Sequence, residues 1–153
     1  MTDSSQHILS ALGRCVGRDH SEARSMPPAF YTSSEFCDLE KTSLFRKQWI
    51  GLGRADQIPK PGDYFTVDLV GEPLIVVRGQ DSQINILSNV CRHRGSLIAE
   101  GAGTAKNFIC PYHAWSYATD GKLLRAPLIA ERSDFDVENC RLPGFACELW
   151  GGF

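Results

Sequence analysis

Two short donor pairs constrain this chain more than any other feature. Cys91-Arg92-His93 places a thiol and an imidazole one residue apart, and Cys110-Pro111-Tyr112-His113 repeats the pair with two residues between them. Sixteen residues separate the two pairs. A mixed set of two thiolates and two imidazoles suits a [2Fe-2S] cluster with Cys91 and Cys110 on one iron and His93 and His113 on the other. Neutral imidazoles make such a ligand set less negative than four thiolates, so the cluster accepts an electron more readily than an all-cysteine centre. The expected chemistry is electron transfer. A fold that binds such a group must bring two loops together from separate parts of the chain.

Two Cys and two His also form a common tetrahedral zinc set. Zinc fingers usually present Cys-Cys and then His-His, whereas each pair here is one Cys followed by one His, so the order favours iron and sulfide. A zinc-binding interaction module is the alternative.

The residues around the pairs carry a resemblance. Asn89-Val90-Cys91-Arg92-His93-Arg94-Gly95 and Cys110-Pro111-Tyr112-His113-Ala114-Trp115-Ser116-Tyr117 resemble the Rieske domain of ring-hydroxylating and related Rieske non-haem iron oxygenases, in their large (alpha) subunit. Tyr31 through Trp49, Gly53-Arg54, Ile58-Pro59-Lys60-Pro61-Gly62-Asp63-Tyr64 and Val76-Val77-Arg78 also resemble that subunit's amino-terminal region, so the likeness covers about residues 27 to 153. One departure is Ala114, where the family usually has Gly after the second His.

The resemblance implies a mainly β fold, a Rieske-type antiparallel β sandwich with a small cluster-binding β subdomain, preceded by an N-terminal helix. It also implies electrons arriving from an NAD(P)H-dependent reductase or a ferredoxin. They would leave for a mononuclear non-haem iron in a carboxyl-terminal domain, and full-length alpha subunits assemble as homotrimers. Respiratory Rieske proteins carry an extra Cys in each loop, and the matching positions here are Ser96 and Tyr112, so that bracing disulfide cannot form. They also place a Ser hydroxyl near the cluster where this chain has Trp115. Fewer hydrogen bonds to sulfur imply a lower potential, partly offset by the hydroxyl of Tyr117.

Only four His are present, and His7 and His20 lie near the amino terminus, away from any rigid scaffold that could hold a second iron. No catalytic residue is therefore assigned. The ending, Arg141-Leu142-Pro143-Gly144-Phe145 through Leu149-Trp150-Gly151-Gly152-Phe153, resembles the strand that leads into the catalytic domain, and the chain reads as truncated. The alternative within electron transfer is a freestanding Rieske ferredoxin. Such ferredoxins are shorter and normally lack the Tyr31 to Trp49 segment.

At 153 residues, with 42% hydrophobic and 22% charged, the chain can bury one sizeable core. A net charge of -2, with Lys and Arg scattered, offers no nucleic-acid footprint. No apolar run approaches the roughly 18 residues of a membrane span, and no secretory signal opens the chain. Ile8, Leu9, Leu12, Cys15 and Val16 with Arg14 and Arg18 resemble a transit peptide weakly, against Asp3, Asp19 and Glu22. The expected location is the cytoplasm, where thiols stay reduced. Cys15, Cys37, Cys140 and Cys147 lack a partner at ligand spacing and read as ordinary residues.

Residues 1–26 read as a flexible tail with at most one short amphipathic helix, 27–62 as a helical lead-in and 63–153 as the cluster domain. Phe36, Leu39, Leu44, Phe45 and Trp49 approximate helical spacing after a Ser33 or Ser34 cap, predicting a helix to about Gln48. Strands are expected at 64–70, 74–78, 84–90, 107–109 and 116–118. Turns are expected at Gly71-Glu72-Pro73, Gly79-Gln80-Asp81 and Asp120-Gly121. Gly95 and Pro111 read as loop-shaping residues, Tyr112 and Trp115 as shields or core, and Arg92 and Arg94 as surface charges or partner contacts.

Overall fold

The computed structural model describes residues 3–127, 129 and 135–153. They fall into two compact units, Met1–Ile50 and Gly51–Phe153.

The first unit is helical. Helix α1 (Asp3–Gly13) occupies much of what the sequence suggested was a tail, and its Ile8 and Ala11 are buried. After a short 3-10 turn at His20–Glu22 come α2 (Pro28–Thr32) and α3 (Ser34–Glu40), and α1 packs on α3. Pro28 starts α2 where a missing N–H is harmless. Ser33 caps α3 as expected, its side chain accepting from the Phe36 N–H at 3.2 Å. Phe36 is buried, with its ring 4.6 Å from that of Phe30. The helix expected to reach Gln48 stops being α-helical at Glu40 and continues as a π-helical turn, Lys41–Phe45. Within that turn the Thr42 hydroxyl donates to the carbonyls of Asp38 and Leu39 at 3.0 and 3.1 Å, competing with regular α-helical bonding. Leu44 and Trp49, two of the apolar positions used to extend the helix, are exposed.

The second unit holds two antiparallel sheets. The larger contains β1 (Asp63–Leu69), β2 (Glu72–Arg78), β3 (Ile84–Ser88), β4 (Ala102–Thr104) and, last in chain order, β8 (Gly144–Phe145), arranged β4-β1-β2-β3-β8. The smaller is a meander of β5 (Asn107–Ile109), β6 (Ser116–Ala118) and β7 (Leu123–Arg125). Leu74 to Val77 of the central strand β2 are all buried, so their sequence reads as a continuous apolar run.

The β1–β2 hairpin is tighter than expected. Its turn is Val70-Gly71, both at positive φ (48° and 89°), which brings Glu72 and Pro73 into β2 opposite Leu69 and Asp68. Arg78 ties the preceding segment to the sheet, donating to the Ile58, Ala55 and Ser82 carbonyls at 2.6, 3.2 and 2.8 Å. The Asp120-Gly121 turn joins β6 to β7, with Gly121 at φ 89° and the Asp120 carboxylate accepting from the Lys122 N–H at 2.9 Å. A Cβ on Gly121 would also stand 3.1 Å from the Leu142 carbonyl oxygen.

One core serves both sheets. Ile75, Val77 and Leu87 of the larger sheet join Phe108, Tyr117 and Leu123 of the smaller, together with Ile98, Trp115, Leu142 and the two cysteines Cys91 and Cys110. Among the described residues no helix is long and apolar enough to cross a membrane.

Candidate metal centre

Cys91 follows β3 of the larger sheet, whereas Cys110 lies between β5 and β6 of the smaller one. The two loops thus spring from different sheets and meet at the shared core. Asn89, 3% exposed, anchors the first. Its side-chain oxygen accepts from the N–H groups of Ile98 and Ala99 at 3.1 and 2.9 Å, and its amide donates to the Ala99 carbonyl at 2.8 Å. The signal for this anchor in the sequence is an Asn that ends the apolar run Ile84–Ser88 two residues before Cys91.

Both loops are built alike. The Cys91 N–H donates to the Ser96 carbonyl at 2.9 Å and the Gly95 N–H to the Cys91 carbonyl at 3.0 Å. In the second loop the Cys110 N–H donates to the Trp115 carbonyl at 2.8 Å and the Ala114 N–H to the Cys110 carbonyl at 3.0 Å. Each loop closes on itself, so its cysteine and histidine are held by local backbone bonds.

Cys91 and Cys110 are each 3% exposed. The Cys110 thiol lies below its ordinary pKa: burial opposes ionisation, but the N–H groups of Tyr112 and His113 and contacts with Cys91 and Ser96 outweigh it. Cys91 Sγ lies 3.3 Å from the hydroxyl of Tyr117, a residue with no exposed surface. That oxygen also accepts from the Arg92 N–H at 3.1 Å. Burial, then the bond to Cys91, pushes the Tyr117 phenol up, so it stays protonated and able to donate.

His93 and His113 are half-buried neighbours with ring centroids 4.7 Å apart and planes at 68°. Burial, followed by repulsion from His113 and Arg94, pushes the His93 imidazole down toward its neutral, metal-binding form. His113 Nδ1 is buried with no hydrogen-bond partner among the described residues. Burying a ring nitrogen this way is costly unless something binds it, and a metal ion would. Among the described residues no three His, Cys, Asp or Glu side chains gather as the shell of one metal ion. A single tetrahedral zinc needs its four donors on one point, whereas a two-iron group takes two donors at each end. Two buried thiols and two adjacent imidazoles, one with an orphaned nitrogen, fit the latter.

The protein-family comparison decides the lineage, because the model for the Rieske [2Fe-2S] domain matches residues 48–142. The chain belongs to the Rieske [2Fe-2S] domain family. Among curated relatives it is 39% identical over 132 residues to the carnitine monooxygenase oxygenase subunit of Acinetobacter baumannii, covering 86% of this chain and 36% of that one. It is 42% identical over 111 residues to the benzene 1,2-dioxygenase subunit alpha of Pseudomonas putida, covering 72% and 25%. The chain therefore spans about a third or less of the length of these relatives.

Solved Rieske oxygenases share the fold. A quaternary ammonium Rieske monooxygenase superposes with a TM-score of 0.79 at 37% identity, covering 86% of this chain and 38% of that one. Naphthalene 1,2-dioxygenase from Rhodococcus sp. superposes with a TM-score of 0.78 at 26% identity, covering 92% and 31%. The mainly β, Rieske-type architecture expected from the motifs is what the structure contains.

The remaining expectations concern the surroundings. Trp115 is buried and stacks on His93, while Tyr112 is 58% exposed with its ring against His113. Arg92 and Arg94 are exposed. His7 and His20 are exposed in the helical unit. Cys140 is half-buried against the core, and burial pushes its thiol up.

Proposed function

We propose that Cys91 and Cys110 hold one iron of a Rieske [2Fe-2S] cluster and His93 and His113 the other, and that the chain relays single electrons. The observation that carries this is the Nδ1 of His113, buried without a partner among the described residues beside the His93 ring, next to a core that includes both thiols. When bound, the cluster supplies a one-electron couple at a potential set by its ligands and the hydrogen bonds to them. The chain tunes that couple through named groups. Backbone N–H groups of Tyr112 and His113 stabilise the Cys110 thiolate, and the Tyr117 hydroxyl stands within hydrogen-bond distance of Cys91 Sγ. The two half-buried imidazoles and the exposed Tyr112 form the side of the site nearest solvent, where electrons would enter and leave.

The setting is the oxygenase subunit of a Rieske monooxygenase or dioxygenase, an oxidoreductase. A reductase or ferredoxin would deliver electrons, the accepting mononuclear iron would lie outside these residues, and a full-length protein would assemble as a homotrimer in the cytoplasm. Relatives named for carnitine, glycine betaine and benzene leave the substrate open between a quaternary amine and an aromatic ring. The first unit, with its helices between Asp3 and Glu40, supports this setting over a freestanding ferredoxin.

The test is iron and acid-labile sulfide analysis of anaerobically purified protein, with electron paramagnetic resonance after dithionite reduction. Two irons, two sulfides and a Rieske-type signal are expected. Stoichiometric zinc with no such signal would overturn the assignment.

A further inference from the structure

The Trp115 indole lies flat on the His93 imidazole, with ring centroids 4.8 Å apart and planes only 6° from parallel. His113 meets the same imidazole edge-on at 68°. His93 is thus bounded by a parallel ring and by a crossed one. The imidazole torsion of a free histidine is broad, so packing of this kind decides where its nitrogens point.

Trp115 is itself well held. It is 2% exposed, its carbonyl accepts from the Cys110 N–H at 2.8 Å, and Phe135 packs against its ring at 5.4 Å. The indole therefore belongs to the second loop but fixes a histidine of the first. Its N–H is buried without an acceptor among the described residues. The extended flat face is what the indole adds.

We infer that Trp115 is a positioning residue for His93, setting the ring plane in which that ligand meets its iron and so coupling the geometry of the two loops. The inference rests on His93 being a cluster ligand. A metal ligand is oriented by what touches its far side, and outer contacts of this kind govern retention of the metal as well as its electronic structure.

The full chain, loaded with its cluster, provides the test. Trp115→Phe keeps a flat ring and Trp115→Leu removes it, and two readouts are followed. The first is the pair of histidine-nitrogen couplings in pulsed electron paramagnetic resonance of the reduced cluster. The second is the rate at which an iron(II) chelator strips the iron. Trp115→Phe is expected to match the parent chain in both. Trp115→Leu is expected to change the coupling of one histidine nitrogen, leave the other in place, and lose iron roughly tenfold faster. Unchanged couplings and stripping rate in Trp115→Leu, or altered values in Trp115→Phe, overturn the inference. Should Trp115→Leu fail to fold by circular dichroism, Trp115→Met replaces it. Failure of both makes the residue a core element only and also overturns the inference. Absence of a Rieske signal in the parent chain is a different result, and it would fault the ligand assignment.

Discussion

Gly95 and Ala114 occupy the same place in the two ligand loops. Each lies four residues after its cysteine, donates its N–H to that cysteine's carbonyl, and has positive φ, 72° for Gly95 and 57° for Ala114. The left-handed conformation carries little penalty at glycine and costs another residue about 1–2 kcal/mol. The matching backbone places His93 two residues and His113 three residues after its cysteine, so one frame presents its imidazole at two different angles.

Ala114→Gly should relieve this strain. After the entropy that glycine adds to the unfolded chain is subtracted, a gain of roughly 0.5–1 kcal/mol is expected. Urea denaturation of the cluster-free chain measures it. A loss of stability would mean that the Ala114 methyl makes a contact worth more than the strain.

Tyr117→Phe removes the donor to Cys91 Sγ and the acceptor for the Arg92 N–H. Stability should fall by roughly 1 kcal/mol, because two hydrogen bonds are lost and the part-buried Arg92 N–H keeps access to water. The midpoint potential should also fall, since a hydrogen bond that stabilises the more negative reduced state is gone. Protein-film voltammetry would detect this, and an unchanged potential would remove Tyr117 from the tuning groups.

Cys110→Ala should abolish cluster binding, as judged by iron and sulfide content. His113→Cys should keep a cluster at lower potential, because a thiolate adds negative charge. Stripping the cluster from the parent chain should loosen both loops, read as faster amide exchange at residues 91–96 and 110–115, since metal binding and local folding are coupled.

Asp63 ties β4 to the start of β1. Its carboxylate accepts from the Thr104 hydroxyl at 2.6 Å and from the Lys60 N–H at 2.9 Å, and these bonds hold it below the usual carboxylate range. A depressed folded-state pKa contributes stability that is complete above the unfolded-state value and is lost as pH falls through the folded one. Asp63→Asn should therefore flatten the acid limb of the stability curve. Urea midpoints taken from neutral to acid pH for both chains would show it, and parallel limbs would refute it.

Leu123 begins β7 and is 2% exposed in the core shared by the two sheets. Leu123→Ala should cost roughly 2–5 kcal/mol by leaving a cavity. A much smaller loss in a denaturation series would mean that the small sheet collapses around the gap.

The two Cys and His donor pairs and most of the large sheet were legible in local sequence. Strands expected at 64–70, 74–78 and 84–90 correspond to β1, β2 and β3, and 107–109 and 116–118 coincide with β5 and β6. Their apolar residues or flanking turn residues mark them without outside help. Strand β4 has no counterpart in the sequence reading, β7 follows the expected Asp120-Gly121 turn, and β8 is a two-residue part of the ending that resembled a strand. Ala102-Gly103-Thr104 and Gly144-Phe145 are too short and too glycine-rich to show a period of two, and they pair with the edges of β1 and β3. The helix after Ser34 failed beyond Glu40 for a related reason, since spacing alone cannot tell whether Leu44 and Trp49 find cover.

By itself the sequence determined which donors each loop carries, because each thiol and imidazole pair lies within a single loop closed by its own backbone bonds. Tertiary structure decided everything that crosses from one loop or sheet to another. It placed Tyr117 of β6 against Cys91, 26 residues away, stacked Trp115 on His93, and buried His113 Nδ1 without a partner among the described residues. Such contacts depend on how two sheets share one core, and side-chain packing between distant segments leaves no periodic trace in a single chain.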